Sequence, residues 1–182
     1  NSKTAEFKYN DLDELTYAKD VDGNVYTYKY SSDKRHNLVE IGYSDKSALK
    51  VVYYGRDKLE NVKSVKDRDN TTTEYAYDKI GGDKNTLKVG VVVKDQENKP
   101  ITTSSYEYYF KSKANGEEWT SRMVSTLDGE KTDTTYSEGN GLPTRILRGT
   151  DETTFAYDDK GRVLKKTTPN EITELSYDAK VG

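Results

Sequence analysis

The chain has 182 residues, enough for one domain or for one continuous repeat array. Hydrophobic residues make up only 32% and charged residues 34%, but tyrosine alone supplies 16 positions, so the composition predicts a thin β structure and not a disordered chain. The 29 basic and 32 acidic residues are interspersed at a net charge of -3, which argues against nucleic acid as a partner; the lack of cysteine removes disulfide and thiolate chemistry, and no apolar run is long enough to cross a bilayer.

Taken in chain order, the sequence predicts short strands separated by polar turns. A bulky residue, any residue, a tyrosine and a turn-former recur at Phe7-Lys8-Tyr9-Asn10, Tyr28-Lys29-Tyr30-Ser31, Val52-Tyr53-Tyr54-Gly55 and Tyr75-Ala76-Tyr77-Asp78. The pattern returns loosely at Tyr108-Tyr109-Phe110-Lys111 and Thr134-Thr135-Tyr136-Ser137, then fully at Phe155-Ala156-Tyr157-Asp158 and Leu175-Ser176-Tyr177-Asp178. Anchors at 9, 30, 54, 77, 110, 136, 157 and 177 give spacings of 21, 24, 23, 33, 26, 21 and 20. The long spacings imply longer strands or loops in the middle of the chain.

Each anchor alternates with period two, so Phe155 and Tyr157 share one face while Thr154 and Ala156 take the other. A second strand follows each anchor, as at 37–43 and 86–91, and Asp-, Asn- and Gly-rich turns such as Asp22-Gly23-Asn24 and Pro169-Asn170-Glu171 close the unit. No segment carries a helical period with caps at both ends. The expectation is an antiparallel meander.

Residues 157–171, Tyr-Asp-Asp-Lys-Gly-Arg-Val-Leu-Lys-Lys-Thr-Thr-Pro-Asn-Glu, resemble the YD repeat of the Rhs and teneurin-type proteins. Tyr157, Asp158, Gly161, Arg162 and Val163 match that pattern, and Pro169-Asn170 matches its closing turn, with Thr168 where the family often has Asp. The match is closest over 153–178 and weakest over 80–135. The resemblance implies a β-strip of stacked hairpins, which in large members of the family spirals into a shell around a toxin or other passenger. Eight hairpins give about sixteen strands, or ~75 Å of sheet at ~4.8 Å per strand, enough for a curved segment and not for a closed cocoon. The sequence shows no toxin-like C-terminal domain and no counterpart of the family's autocleavage core. Its end at Val181-Gly182, one strand into the last repeat, suggests truncation or pairing with something outside the chain.

The chemistry-bearing residues read mostly as structure. Asp20-Val21-Asp22-Gly23-Asn24 lacks the spacing and helical frame of a calcium loop and reads as a hairpin turn. His36, the one histidine, has no second zinc ligand and no nucleophile to activate. Asp11, Asp13, Glu14, Glu117, Glu118, Asp158 and Asp159 are sequence neighbours in turns, not carboxylates facing each other across a cleft. Arg145, Arg148 and Arg162 read as ion-pair partners, and Asn70-Thr71-Thr72, although a glycosylation sequon, also fits a plain turn. The strongest candidate ligand site is the aromatic cluster Tyr106, Tyr108, Tyr109, Phe110 and Trp119.

The sequence therefore predicts an all-β fold: one elongated, twisted antiparallel sheet of stacked YD-repeat hairpins, open or curved. Residues 1–182 are expected to form a single degenerate array of about eight repeats, with longer, irregular repeats over 80–135. The expected function is a non-enzymatic scaffold or interaction module, secreted or in the cell envelope, either a shell segment or a small stand-alone relative. The alternative is glycan binding or cell-surface adhesion through exposed aromatics. A protein or glycan partner is expected, and no catalytic residue, cofactor, metal, nucleic acid or membrane span.

Overall fold

The structure, a computed structural model, describes residues 4–33, 35–55 and 61–177. Asp178 of the last anchor and the Val181-Gly182 end lie outside the described residues. The chain runs through β1 (Glu6–Tyr9), β2 (Leu15–Lys19), β3 (Val25–Tyr30), β4 (Leu38–Tyr43), β5 (Ala48–Tyr53), β6 (Val62–Lys66) and β7 (Thr72–Asp78). A 3-10 turn at Ile80–Gly82 precedes β8 (Thr86–Lys94), β9 (Pro100–Ser112) and β10 (Glu118–Leu127). Then come β11 (Glu130–Tyr136), β12 (Pro143–Arg148), β13 (Asp151–Tyr157), β14 (Val163–Thr167) and β15 (Ile172–Glu174). These fifteen strands form one antiparallel sheet whose spatial order is the chain order, an open meander as the tyrosine pattern predicts. The long anchor spacings arise from long strands, since β8, β9 and β10 have 9, 13 and 10 residues.

Seven turns among the described residues share one backbone design. In the last of them the Asp158 amide donates to the Arg162 carbonyl at 3.0 Å, and the Gly161 amide donates back to the Asp158 carbonyl at 3.1 Å. The same pair of bonds starts from Asn10, Asp20, Tyr43, Asp67, Asp95 and Lys113. The fourth residue of each turn has a positive φ, at Asp13, Gly23, Lys46, Asn70, Asn98, Gly116 and Gly161. That is a type I turn followed by a left-handed residue, which matches the twist of the flanking strands. Where the first residue is Asn10, Asp20, Asp95 or Asp158, its Oδ1 also accepts two amides of the loop. This is the physical use of the Asp in the Tyr-Asp pair.

The tyrosine has its own use. The strand register shifts at Tyr9, Tyr30, Tyr53, Tyr136 and Tyr157, each at the end of its strand. The hydroxyls of Tyr30, Tyr53, Tyr157 and Tyr177 donate to the carbonyls of Leu15, Leu38, Pro143 and Val163 at 3.1, 3.1, 2.7 and 2.9 Å. Each acceptor is the first residue of the preceding strand, where the regular ladder has stopped. The third anchor is Tyr53 and not the expected Tyr54, because Tyr53 takes the bulge while the Tyr54 hydroxyl bonds the Tyr75 carbonyl at 2.9 Å. A doubled tyrosine leaves that phase open in sequence.

The core is thin: among the described residues the buried hydrophobic side chains are Ala18 and Val124. The chain divides into two compact units, Asn1–Tyr75 with Val92–Ile101 and Ala76–Val91 with Thr102–Gly182. In the first, Tyr28, Ile41 and Leu49 align across β3, β4 and β5 on one face. Lys29, Glu40 and Lys50 align on the other, with Glu40 held by Lys29 at 2.7 Å and Lys50 at 3.7 Å. In the second, Tyr108, Met123, Thr134 and Ile146 align across β9 to β12, again opposite a charged face.

Candidate aromatic site and charge ladder

The five aromatic residues singled out in the sequence do not form one patch. Strand alternation along β9 puts Tyr106, Tyr108 and Phe110 on one face and Tyr109 on the other. The rings of Tyr108 and Phe110 stack, with centroids 6.4 Å apart and planes 8° apart. Tyr106 lies opposite Ser125 in the ladder. Trp119 joins Tyr108, Thr120, Met123, Tyr136 and the turn at 137–141 around a shallow depression of about 500 Å³. The Trp119 Nε1 is buried and has no hydrogen-bond partner among the described residues. A bulge between Thr120 and Arg122 displaces the start of β10 and shapes this depression.

Tyr109 belongs instead to a charge ladder that sequence reading missed. Lys88, Glu107, Arg122, Asp133, Arg145 and Glu152 place one charge of alternating sign on each of β8 to β13. Lys88 pairs with Glu107 at 3.1 Å, Arg122 forks onto both Asp133 oxygens at 2.8 and 2.6 Å, and Arg145 binds Glu152 at 2.7 Å. Tyr109 donates to Glu107 at 3.2 Å and carries the Arg122 guanidinium 5.0 Å from its ring centre. Val124, opposite both Glu107 and Asp133, is 2% exposed. Long charged side chains thus shelter an apolar rung. The hydrogen bond from Lys88 holds the Glu107 carboxyl below its ordinary value, and that from Arg122 does the same for Asp133. Burial pushes the Tyr109 hydroxyl up. The ladder depends on register, including the bulge at the start of β10, so no linear spacing of charges reveals it.

The other candidate side chains are engaged in local contacts. In the Asp20–Asn24 turn the Asp20 carboxylate is occupied by the Asp22 and Asn24 amides and the Asn24 side chain. No group of three metal-ligating side chains occurs among the described residues. His36 Nδ1 lies 2.9 Å from Glu14 Oε1. Glu117 binds Lys113 at 3.0 Å, and Arg162 binds Asp158 at 2.7 Å while lying 4.3 Å from the Tyr177 ring centre. No described helix is long and apolar enough to cross a membrane.

An all-β antiparallel array of hairpins, with bulged tyrosines and side-chain-bonded turns recurring along it, fits the YD-repeat, Rhs-type resemblance. No family model matches the chain. In sequence it is 27% identical over 222 aligned residues to the tRNA3(Ser)-specific nuclease WapA of Bacillus spizizenii and equally to the tRNA nuclease WapA of Bacillus subtilis. Each match covers 96% of this chain and 9% of the relative, so the chain spans about a tenth of the proteins it resembles. In fold it is similar to a chain of the TcdB2-TccC3-TEV crystal structure, with a TM-score of 0.61 at 14% identity over 97% of this chain and 10% of the other. The sequence relatives and the fold both support the YD-repeat, Rhs-type resemblance.

These relatives correct the functional expectation. Proteins named as tRNA nucleases run against a purely non-enzymatic scaffold or adhesion module, and against the exclusion of enzymatic activity and of nucleic acid as a partner. The error has a physical source: the charge balance and site inventory of 182 residues do not bound the chemistry of relatives of which they span 9%. Neither the fold nor the relatives lend support to carbohydrate binding.

Proposed function

We propose that this chain, a single degenerate YD-repeat array of the Rhs type over residues 1–182, works within a longer protein that cleaves tRNA. The observation that carries this reading is the similarity to two proteins named as tRNA nucleases, which extends over 96% of the chain. A secreted or cell-surface placement goes with it. The repeat unit supports the reading physically, because bulged tyrosines and side-chain-bonded turns let a strip with little core hold its register.

The test is to incubate the purified complete gene product that carries this chain with total tRNA and resolve the RNA on a denaturing gel. Discrete tRNA fragments are expected. Intact tRNA after incubation with the folded complete protein overturns the reading.

A further inference from the structure

We propose that the depression beside β9 and β10 binds an unstacked nucleobase of single-stranded RNA; the choice of RNA rests on the tRNA-cleaving reading above. The depression lies where the repeat chemistry is broken. Tyr30, Tyr53, Tyr157 and Tyr177 each spend their hydroxyl on a carbonyl of the preceding strand. Tyr136 sits at the same kind of bulge, where the register shifts between Thr135 and Tyr136, yet its hydroxyl has no hydrogen bond among the described residues. Beside it stands Trp119, the one tryptophan of the chain, whose buried Nε1 is also unpartnered. A phenylalanine would fill such a position without orphaning a donor, so what the indole adds is ring surface.

Tyr108, Met123 and Tyr136 complete the walls, and a volume of about 500 Å³ is in the range of small-ligand clefts. The chemistry offered is aromatic faces for stacking and a hydroxyl that both donates and accepts, the combination that reads the edge of a splayed base. Lys113 and Glu138 also line the depression, and Lys113 pairs with Glu117 at 3.0 Å. Lys113 is the cation that an adjoining phosphate meets, in exchange for Glu117. Aromatic stacking tolerates any base, whereas a paired duplex keeps its bases out of reach.

Because Trp119 is the sole tryptophan, its fluorescence reports on this depression directly. The chain is titrated with a single-stranded oligouridylate, with a matched RNA duplex, and with a neutral oligosaccharide. Saturable quenching by the single strand alone is expected. Tyr136→Phe should weaken it about tenfold, as loss of one hydrogen bond implies, while leaving the far-ultraviolet circular dichroism unchanged. Lys113→Gln should flatten its salt dependence, and Tyr157→Phe should leave it as it is. Absent quenching at millimolar oligouridylate, equal quenching of Tyr136→Phe, or a response to the oligosaccharide in place of RNA overturns the proposal. Cleavage of tRNA by the complete protein with Trp119 silent overturns the nucleobase site alone. Quenching without cleavage supports the site and overturns the nuclease reading.

Discussion

The Tyr157 hydroxyl donates to the Pro143 carbonyl at 2.7 Å, tying the end of β13 to the first residue of β12. The bond joins β12 and β13 beyond their last paired rung, Arg145 opposite Thr154, while the register shift at Tyr157 lies on the β14 side. It explains why the anchor is tyrosine and not phenylalanine. The ring packs against Phe155, with centroids 6.2 Å apart, while the hydroxyl replaces a missing main-chain donor.

Tyr157→Phe removes that donor and should cost about 1 kcal/mol, read as a lower urea midpoint at unchanged slope. Tyr136→Phe, whose hydroxyl bonds nothing among the described residues, should leave the midpoint where it was. Equal losses in the two variants would refute the assigned role of the hydroxyl.

The fourth turn position makes a second prediction. Gly161 has φ +78°, and a Cβ there would meet Leu142 Cδ1 at 3.3 Å. Gly161→Ala should destabilise by roughly 1–2 kcal/mol through left-handed strain. Lys46 occupies the same position with φ +68°, so Lys46→Gly should be neutral or stabilising despite the added unfolded-state entropy. Thermal unfolding of both variants tests this, and opposite signs are expected.

The Arg122–Asp133 fork invites a charge-swap experiment. Arg122→Asp or Asp133→Arg alone should destabilise by setting like charges side by side, and the double swap should restore part of the loss. A coupling energy of about 1 kcal/mol is expected, shrinking in high salt because Arg122 is partly exposed. Strict additivity would mean the ladder contributes nothing to stability.

Acid should loosen the array. Asp133 and Glu107 have folded values below their ordinary 3.8 and 4.5, held down chiefly by Arg122 and Lys88. Hydrogen bonds from the Ser47 side chain and amide, joined by Arg68, draw Asp45 down to about 2. A depressed folded value stabilises fully above the unfolded value and loses that contribution as pH falls through the folded one. Stability should therefore be flat from neutrality to about pH 5 and then fall towards pH 2. Stability that rises on acidification would contradict the signs of these shifts.

Much of the fold was legible because two short-range signals coincide. Period-two aromatics mark the strands, and Asp, Asn and Gly mark the left-handed turn positions, as at Tyr157 to Gly161. Lys46 shows the limit, since lysine at a left-handed position gives no local warning. The site was less legible. Proximity in sequence groups Tyr109 with Tyr108, although neighbours on a strand face opposite ways. The charge ladder was invisible because each rung joins residues on different strands, and the bulge between Thr120 and Arg122 sets its phase. Tyr136 read as a weak anchor because its neighbours are threonines; its unspent hydroxyl is a property of three dimensions.

Recurrent turns closed by an Asn or Asp side chain hold this sheet of little core in register, with a bulged tyrosine ahead of them at Tyr9-Asn10 and Tyr157-Asp158. Native-state hydrogen exchange tests this most directly at the amides of Asp20, Asp95 and Asp158, which donate across their turns at 3.0, 2.9 and 3.0 Å. These amides are expected to be protected together with the flanking strands. Exchange at the rate of open loops while the strands stay protected would contradict it.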